Sequence, residues 1–84
     1  MFVFIIKNKA TKEIDKLSPN VRRRILEKLK FFSEQENPLK CAERLNNFEF
    51  GEYRFRVSDY RILFDVQGNN IVILKVGHRK DIYK

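Results

Sequence analysis

Tyr53-Arg54-Phe55-Arg56-Val57-Ser58-Asp59-Tyr60-Arg61-Ile62-Leu63-Phe64 is the stretch that decides the fold. On either side of Ser58-Asp59, apolar and charged residues alternate with period two, as half-buried strands require. If Ser58-Asp59 is a two-residue hairpin loop, Val57 pairs with Tyr60, Arg56 with Arg61 and Phe55 with Ile62. Residues opposite one another share a face. Tyr53, Phe55, Val57, Tyr60, Ile62, Phe64 and Val66 then point one way, and Arg54, Arg56 and Arg61 point the other.

That register has a cost. Arg56 and Arg61 oppose each other as a non-hydrogen-bonded pair, with Cα atoms about 4.5 Å apart, and like charges so placed are destabilising. A face that served only solubility would intersperse acids or use lysine. Three arginines converging on an open face suit phosphate instead, because each guanidinium fork can donate two parallel hydrogen bonds to phosphate oxygens.

Working outward, Phe2 to Lys7 reads as a buried strand. Ala10, Ile14 and Leu17 lie on one face of a short helix. Ser18-Pro19 starts a second helix, with Ser18 able to cap it and Pro19 suited to its first turn. Val21, Ile25, Leu29 and Phe32 form its apolar stripe, while Arg22, Arg23, Arg24, Lys28 and Lys30 lie mainly off it. Asn37-Pro38 is expected to stop this helix. Lys40 to Asn47 is polar and shows no clear period. Gly51-Glu52 and Gly68-Asn69-Asn70 read as turns, and Ile71 to Val76 as the last strand. The order β-α-α-β-β-β predicts an α+β fold: a single domain over residues 1–84, with a curved antiparallel four-stranded sheet and a helical hairpin on one face.

The chain has 84 residues, 43% hydrophobic and 35% charged. No apolar run approaches the ~20 residues that a membrane-spanning helix needs. Phe2-Val3-Phe4-Ile5-Ile6 is too short for a signal-peptide core, so a soluble, cytoplasmic protein with no membrane partner is expected. One cysteine, Cys41, and one histidine, His78, cannot assemble a zinc site or a disulfide. No metal and no cofactor are expected, and Cys41 reads as a small apolar filler. The net charge of +7 favours a polyanionic partner.

The last strand runs into Val76-Gly77-His78-Arg79-Lys80-Asp81-Ile82-Tyr83-Lys84. Gly77 is expected to let the chain leave the sheet sharply. Arg79 and Tyr83 would then lie just beyond a strand end, able to fold back over the arginine face.

With this tail the sequence resembles the RelE/ParE superfamily of toxin–antitoxin toxins, in its RelE branch. Ala10-Thr11-Lys12-Glu13-Ile14-Asp15-Lys16-Leu17 looks like the family's first helix. Tyr53 to Val57 followed by Asp59 to Phe64 looks like its central hairpin, and Val76 to Tyr83 is similar to its closing motif. The resemblance implies a toxin that enters the ribosomal A site and cleaves the bound mRNA. It implies that Arg54 and Arg56, often lysine in the family, hold the RNA backbone and assist the chemistry. Arg61 would bind the scissile phosphate, Arg79 would add a second phosphate contact, and Tyr83 would stack on a base and take part in proton transfer. Arginine at 54 and 56 keeps the charge but is unsuited to general-base work, since it does not deprotonate in proteins. Histidines near this end act in acid–base catalysis in some relatives, and imidazole is suited to it. Arg22, Arg23, Arg24, Lys28, His78 and Lys80 are expected to bind RNA.

The reaction so implied needs no metal. The ribose 2′-OH attacks the neighbouring phosphate, leaving a 2′,3′-cyclic phosphate and a free 5′-OH, while the protein positions the strand and stabilises the phosphorane charge. The expected partners are the ribosome with mRNA in its A site and an acidic antitoxin that folds around the basic toxin as a hetero-oligomer. Two alternatives stay open: a ParE-like toxin that poisons DNA gyrase without hydrolysis, and a non-toxic module that binds nucleic acid or a partner.

Overall fold

The computed structural model of the chain describes residues 1–46 and 48–84. Strand β1 (Val3–Ile6) leads into helices α1 (Asn8–Asp15) and α2 (Pro19–Ser33), and a 3-10 turn (Pro38–Cys41) follows. After it come β2 (Glu43–Arg44), a second 3-10 turn (Phe48–Phe50), β3 (Tyr53–Val57), β4 (Tyr60–Gln67) and β5 (Asn70–His78). Asn47, the end of the polar segment that showed no period, lies outside the described residues.

The α+β class and the helix pair agree with the sequence pattern, but the sheet is larger and mixed. Five strands lie in the order β1-β5-β4-β3-β2. β2, β3, β4 and β5 pair antiparallel, whereas β1 runs parallel to β5, with Val3 opposite Asn70 and Ile6 opposite Ile73. Period-two alternation fixes which face a side chain takes, not the direction of the neighbouring strand. β2 escaped the pattern because Glu43-Arg44 carries no apolar residue.

The central hairpin has the expected register, with Val57 opposite Tyr60, Arg56 opposite Arg61 and Phe55 opposite Ile62. Ser58 adopts φ 54°, the positive φ that two-residue hairpin loops place at their first central residue. On the helix side the inward residues meet Ala10, Ile14, Ile25, Leu29 and Phe32, all buried. Phe55 is the centre of an aromatic stack, with ring centroids 4.1 Å from Phe32, 4.4 Å from Phe64 and 6.1 Å from Phe4.

Several local expectations are corrected. β1 is an edge strand: Phe2 and Phe4 pack on the core, but Val3, Ile5 and Ile6 are exposed. Ser18 occupies the N-cap of α2 without making a side-chain capping bond, and Pro19 supplies the start. α2 ends at Ser33, ahead of Asn37, whose side chain instead accepts from the Leu39 N–H to cap the 3-10 turn. Cys41, at the end of that turn, is exposed and fills no core.

A bulge in β5 matters for the other face. Leu63 opposes Lys75, yet Phe64 opposes Ile73, so Leu74 is an extra residue. The bulge switches the parity of β5. Ile71, Ile73 and Val76 all reach the helix-side core, while Lys75 and Gly77 go to the opposite face. Beyond the end of β1, the Glu13 carboxylate of α1 accepts from the Val76 N–H at 2.9 Å, satisfying a backbone donor that β1 does not reach.

Candidate functional site

The face away from the helices carries Arg54, Arg56 and Arg61, and the tail beyond β5 folds onto it. His78 O accepts from the N–H groups of Asp81 and Ile82, both at 2.9 Å, which turns the chain back. Ile82 is 1% exposed and packs with Leu63 and Leu45 in a second, smaller apolar cluster flanked by Phe50 and Tyr83. Gly77 makes this possible. It stays within β5, contrary to its expected role as an exit, and a Cβ there would come 3.1 Å from Ile82 Cδ1. Lys75 Nζ pins the tail further by donating to Ile82 O at 2.9 Å.

Tyr83 therefore arrives over the arginines. Its ring stands edge-on to Phe50, and its hydroxyl oxygen accepts from Arg54 Nη1 at 2.6 Å. Arg54 Nε donates to the Glu43 carboxylate at 3.0 Å, and Arg56 Nη1 lies 3.7 Å from the other oxygen of Glu43. The bond to Tyr83 is the main cause that raises the Arg54 pKa above its ordinary value, ahead of the opposing effect of burial.

Arg61 is not the open-face residue that alternation alone suggests. It is 6% exposed, and the hairpin holds its guanidinium. Its Nη1 donates to the carbonyls of Ser58 and Tyr60, each at 2.9 Å. Burial is the main cause that lowers its pKa, followed by the charges of Arg56 and Arg54, with Arg79 adding to them. Arg79 is exposed and tied to the hairpin tip: its N–H donates to Asp59 O at 2.7 Å, and its Nε lies 3.7 Å from the Asp59 carboxylate. The structure thus brings Arg54, Arg56, Arg61, Arg79 and Tyr83 to one region, with donors partly organised before any ligand is present.

The other candidates lie elsewhere. His78 is opposite Tyr60 and edge-on to its ring at 5.4 Å, on the helix side of the sheet. Lys80 is exposed, and its N–H donates to His78 Nδ1 at 3.1 Å. Arg22, Arg23, Arg24 and Lys28 belong to α2. Arg22 donates to Asp15 O and Arg23 to the Asn20 side chain, both at 3.3 Å, and Arg24 reaches Ser58 Oγ at 2.9 Å. Ser58 is therefore gripped twice, through its hydroxyl by Arg24 and through its carbonyl by Arg61.

Glu43 and Lys75 escaped sequence reasoning. Lys75 interrupts an apolar run from Ile71 to Val76 that carries no period-two signal, so only the bulge at Leu74 assigns its face. Among the described residues, no group of three or more His, Cys, Asp or Glu side chains could hold a metal ion, and no helix is long and apolar enough to cross a membrane.

Comparison with known proteins gives a consistent picture. Residues 4–83 match the family described as the ParE toxin of the type II toxin–antitoxin system parDE. The chain is 31% identical over 77 residues to Toxin RelG of Mycobacterium tuberculosis, covering 89% of this chain and 87% of that protein. Its fold is similar to a chain in the toxin–antitoxin complex RelBE2 from Mycobacterium tuberculosis, with TM-score 0.77 and 25% identity over 93% of this chain and 98% of that one. It is similar too to a chain in the RelB–RelE antitoxin–toxin complex from Methanococcus jannaschii, with TM-score 0.74 and 23% identity over 94% of each.

Proposed function

Since the chain belongs to the ParE toxin family of type II toxin–antitoxin systems, within the RelE/ParE superfamily, we propose that it acts as a RelE-like endoribonuclease on ribosome-bound mRNA. The observation that carries this reading is the meeting of hairpin and tail: Arg54 bonded to Tyr83 at 2.6 Å, beside the buried Arg61. A toxin that worked by binding a protein target would not need cations and a phenol gathered at one point.

In this reading Arg61 and Arg79 hold the scissile phosphate and stabilise the charge that builds on it. Arg54 and Arg56 steady the strand. Glu43 lies against both of these and takes the proton of the attacking 2′-OH, a task that arginine cannot perform. The Tyr83 oxygen already accepts from Arg54, which leaves its own hydrogen to give to the departing 5′ oxygen. One P–O bond forms and one breaks, yielding a 2′,3′-cyclic phosphate and a 5′-OH. Free RNA is a poor substrate because the in-line geometry is supplied by the ribosome. The basic surface binds an acidic antitoxin that silences the toxin in the cytoplasm.

Induction of this chain without its antitoxin tests the reading. The expected result is arrested growth and translation, with primer extension showing cuts inside codons of ribosome-bound mRNA. Arrest with intact mRNA and damaged DNA would assign it the gyrase-directed action instead. Uninhibited growth under full induction would remove both.

A further inference from the structure

α2 and the end of β3 enclose a groove of about 590 Å³, lined by Arg24, Lys28, Arg56, Phe31, Glu27 and Ser58 among others. Three cations face one carboxylate there, so the groove favours an anion. Phe31 is unusual in it. The apolar stripe of α2 buries Ile25, Leu29 and Phe32, yet Phe31, off that stripe, keeps 48% of its surface exposed. Lys28 Nζ stands 5.3 Å from the centre of its ring. Proteins that bind single-stranded nucleic acid combine cations that follow the phosphates with an aromatic ring on which a base stacks.

The groove is continuous with the arginine face. β2 pairs only with Tyr53 and Arg54, so among the described residues no strand covers the outer edge of β3 from Phe55 to Val57. Arg56 stands at that open edge. Its guanidinium lies 3.7 Å from Glu43 on the arginine face, and the same residue lines the groove. Arg24 is held at the groove by Ser58, whose carbonyl also holds Arg61.

We propose that this groove is a second RNA subsite, taking one nucleotide of the single strand that flanks the cleavage point, with its base on Phe31 and its phosphate among Arg24, Lys28 and Arg56. The proposal rests on the reading of the arginine face as an RNA site and extends it around the edge of β3. Its size falls within the roughly 300–1,000 Å³ usual for small-ligand sites.

The test uses the full chain and a short single-stranded RNA with 2′-O-methyl riboses, which cannot be cleaved by 2′-OH attack, and 5-iodouracil bases, which crosslink to stacked aromatic rings under light. The expected crosslink maps to Phe31. Phe31→Ala should weaken binding of this RNA about tenfold, within the range found when one stacking ring is removed, while Phe31→Trp restores it. Thermal unfolding of each variant checks that the fold persists, as the exposure of Phe31 leads one to expect. A crosslink elsewhere, with affinity unchanged in Phe31→Ala, overturns the subsite. So does finding that an acidic peptide occupies the groove while RNA affinity ignores Phe31, which would give the groove to a protein partner. Neither result touches mRNA cleavage by the unaltered chain, so the two proposals fail separately.

Discussion

Arg54 on β3 and Tyr83 in the tail beyond β5 are joined by a 2.6 Å hydrogen bond in which the guanidinium donates to the phenol oxygen. The two residues come from parts of the chain that no turn connects directly. Their meeting depends on Gly77 leaving room for Ile82 and on Phe50 supporting the Tyr83 ring. The same bond orients the hydroxyl hydrogen away from Arg54.

Tyr83→Phe removes the hydroxyl and leaves the ring in its place against Phe50. Single-turnover cleavage of ribosome-bound mRNA is expected to slow by about a hundredfold, the lower end of the range for a lost proton-transfer group. Cleavage at the unaltered rate would reduce the hydroxyl to an anchor for the tail.

Arg61 is a cation that the fold holds at a cost. Its pKa is lowered, chiefly by burial, so folding disfavours its cation, and the penalty applies at every pH where arginine is charged, which includes all working conditions. Arg61→Met keeps much of the buried volume without the charge. It is expected to hold or raise the unfolding midpoint in a thermal melt while cutting the cleavage rate about a hundredfold. A rate like that of the unaltered chain would take Arg61 out of the chemistry.

Glu43→Gln separates binding from reaction. Arg54 and Arg56 lose their anionic neighbour, so RNA should bind as well as before or more tightly in a filter assay at low salt. Single-turnover cleavage should nevertheless fall about a hundredfold or more. Parallel losses in both measurements would make Glu43 a structural counter-ion rather than a base.

Gly77→Val places atoms where Ile82 Cδ1 sits. It should destabilise the protein by about 1–3 kcal/mol, as overpacking does, and speed hydrogen exchange in the tail while β3 and β4 stay protected. Denaturant melts and exchange by mass spectrometry measure the two effects. An undisturbed tail would show that Ile82 does not depend on the missing side chain.

Salt offers a broader check. RNA affinity should fall linearly with salt on logarithmic axes as phosphate contacts displace counterions. A flat response would mean that the basic surface is not where RNA binds.

The hairpin was legible in sequence because two independent constraints agree on it. Alternation assigns Phe55 and Ile62 to one face and Arg54 and Arg61 to the other, and a two-residue loop at Ser58-Asp59 fixes the register. The direction of β1 was not legible, because its partner β5 lies at the far side of the chain and nothing local records it. Glu43 stayed hidden in a polar stretch without a period, its importance arising only when Arg54 comes opposite. The placement of His78 with Tyr60 follows from the parity change at Leu74. The path of the tail is set by the Gly77–Ile82 contact and not by any pattern within the tail.

The parallel pairing of β1 with β5 imposes an order in time. Val3, Phe4, Ile5 and Ile6 precede every helix and every other strand described, yet their partners Asn70, Ile71, Val72 and Ile73 come after all of them. Translation adds roughly 5–20 residues per second, so seconds pass with the first strand unpaired. Contacts so distant in sequence slow closure further. A nascent chain of this topology has no complete sheet, and no tail folded over its arginines, until β5 and the residues beyond it have been made. The arginine face is therefore among the last parts of the fold to be assembled, and any partner that meets the chain during synthesis meets it with β1 still unpaired.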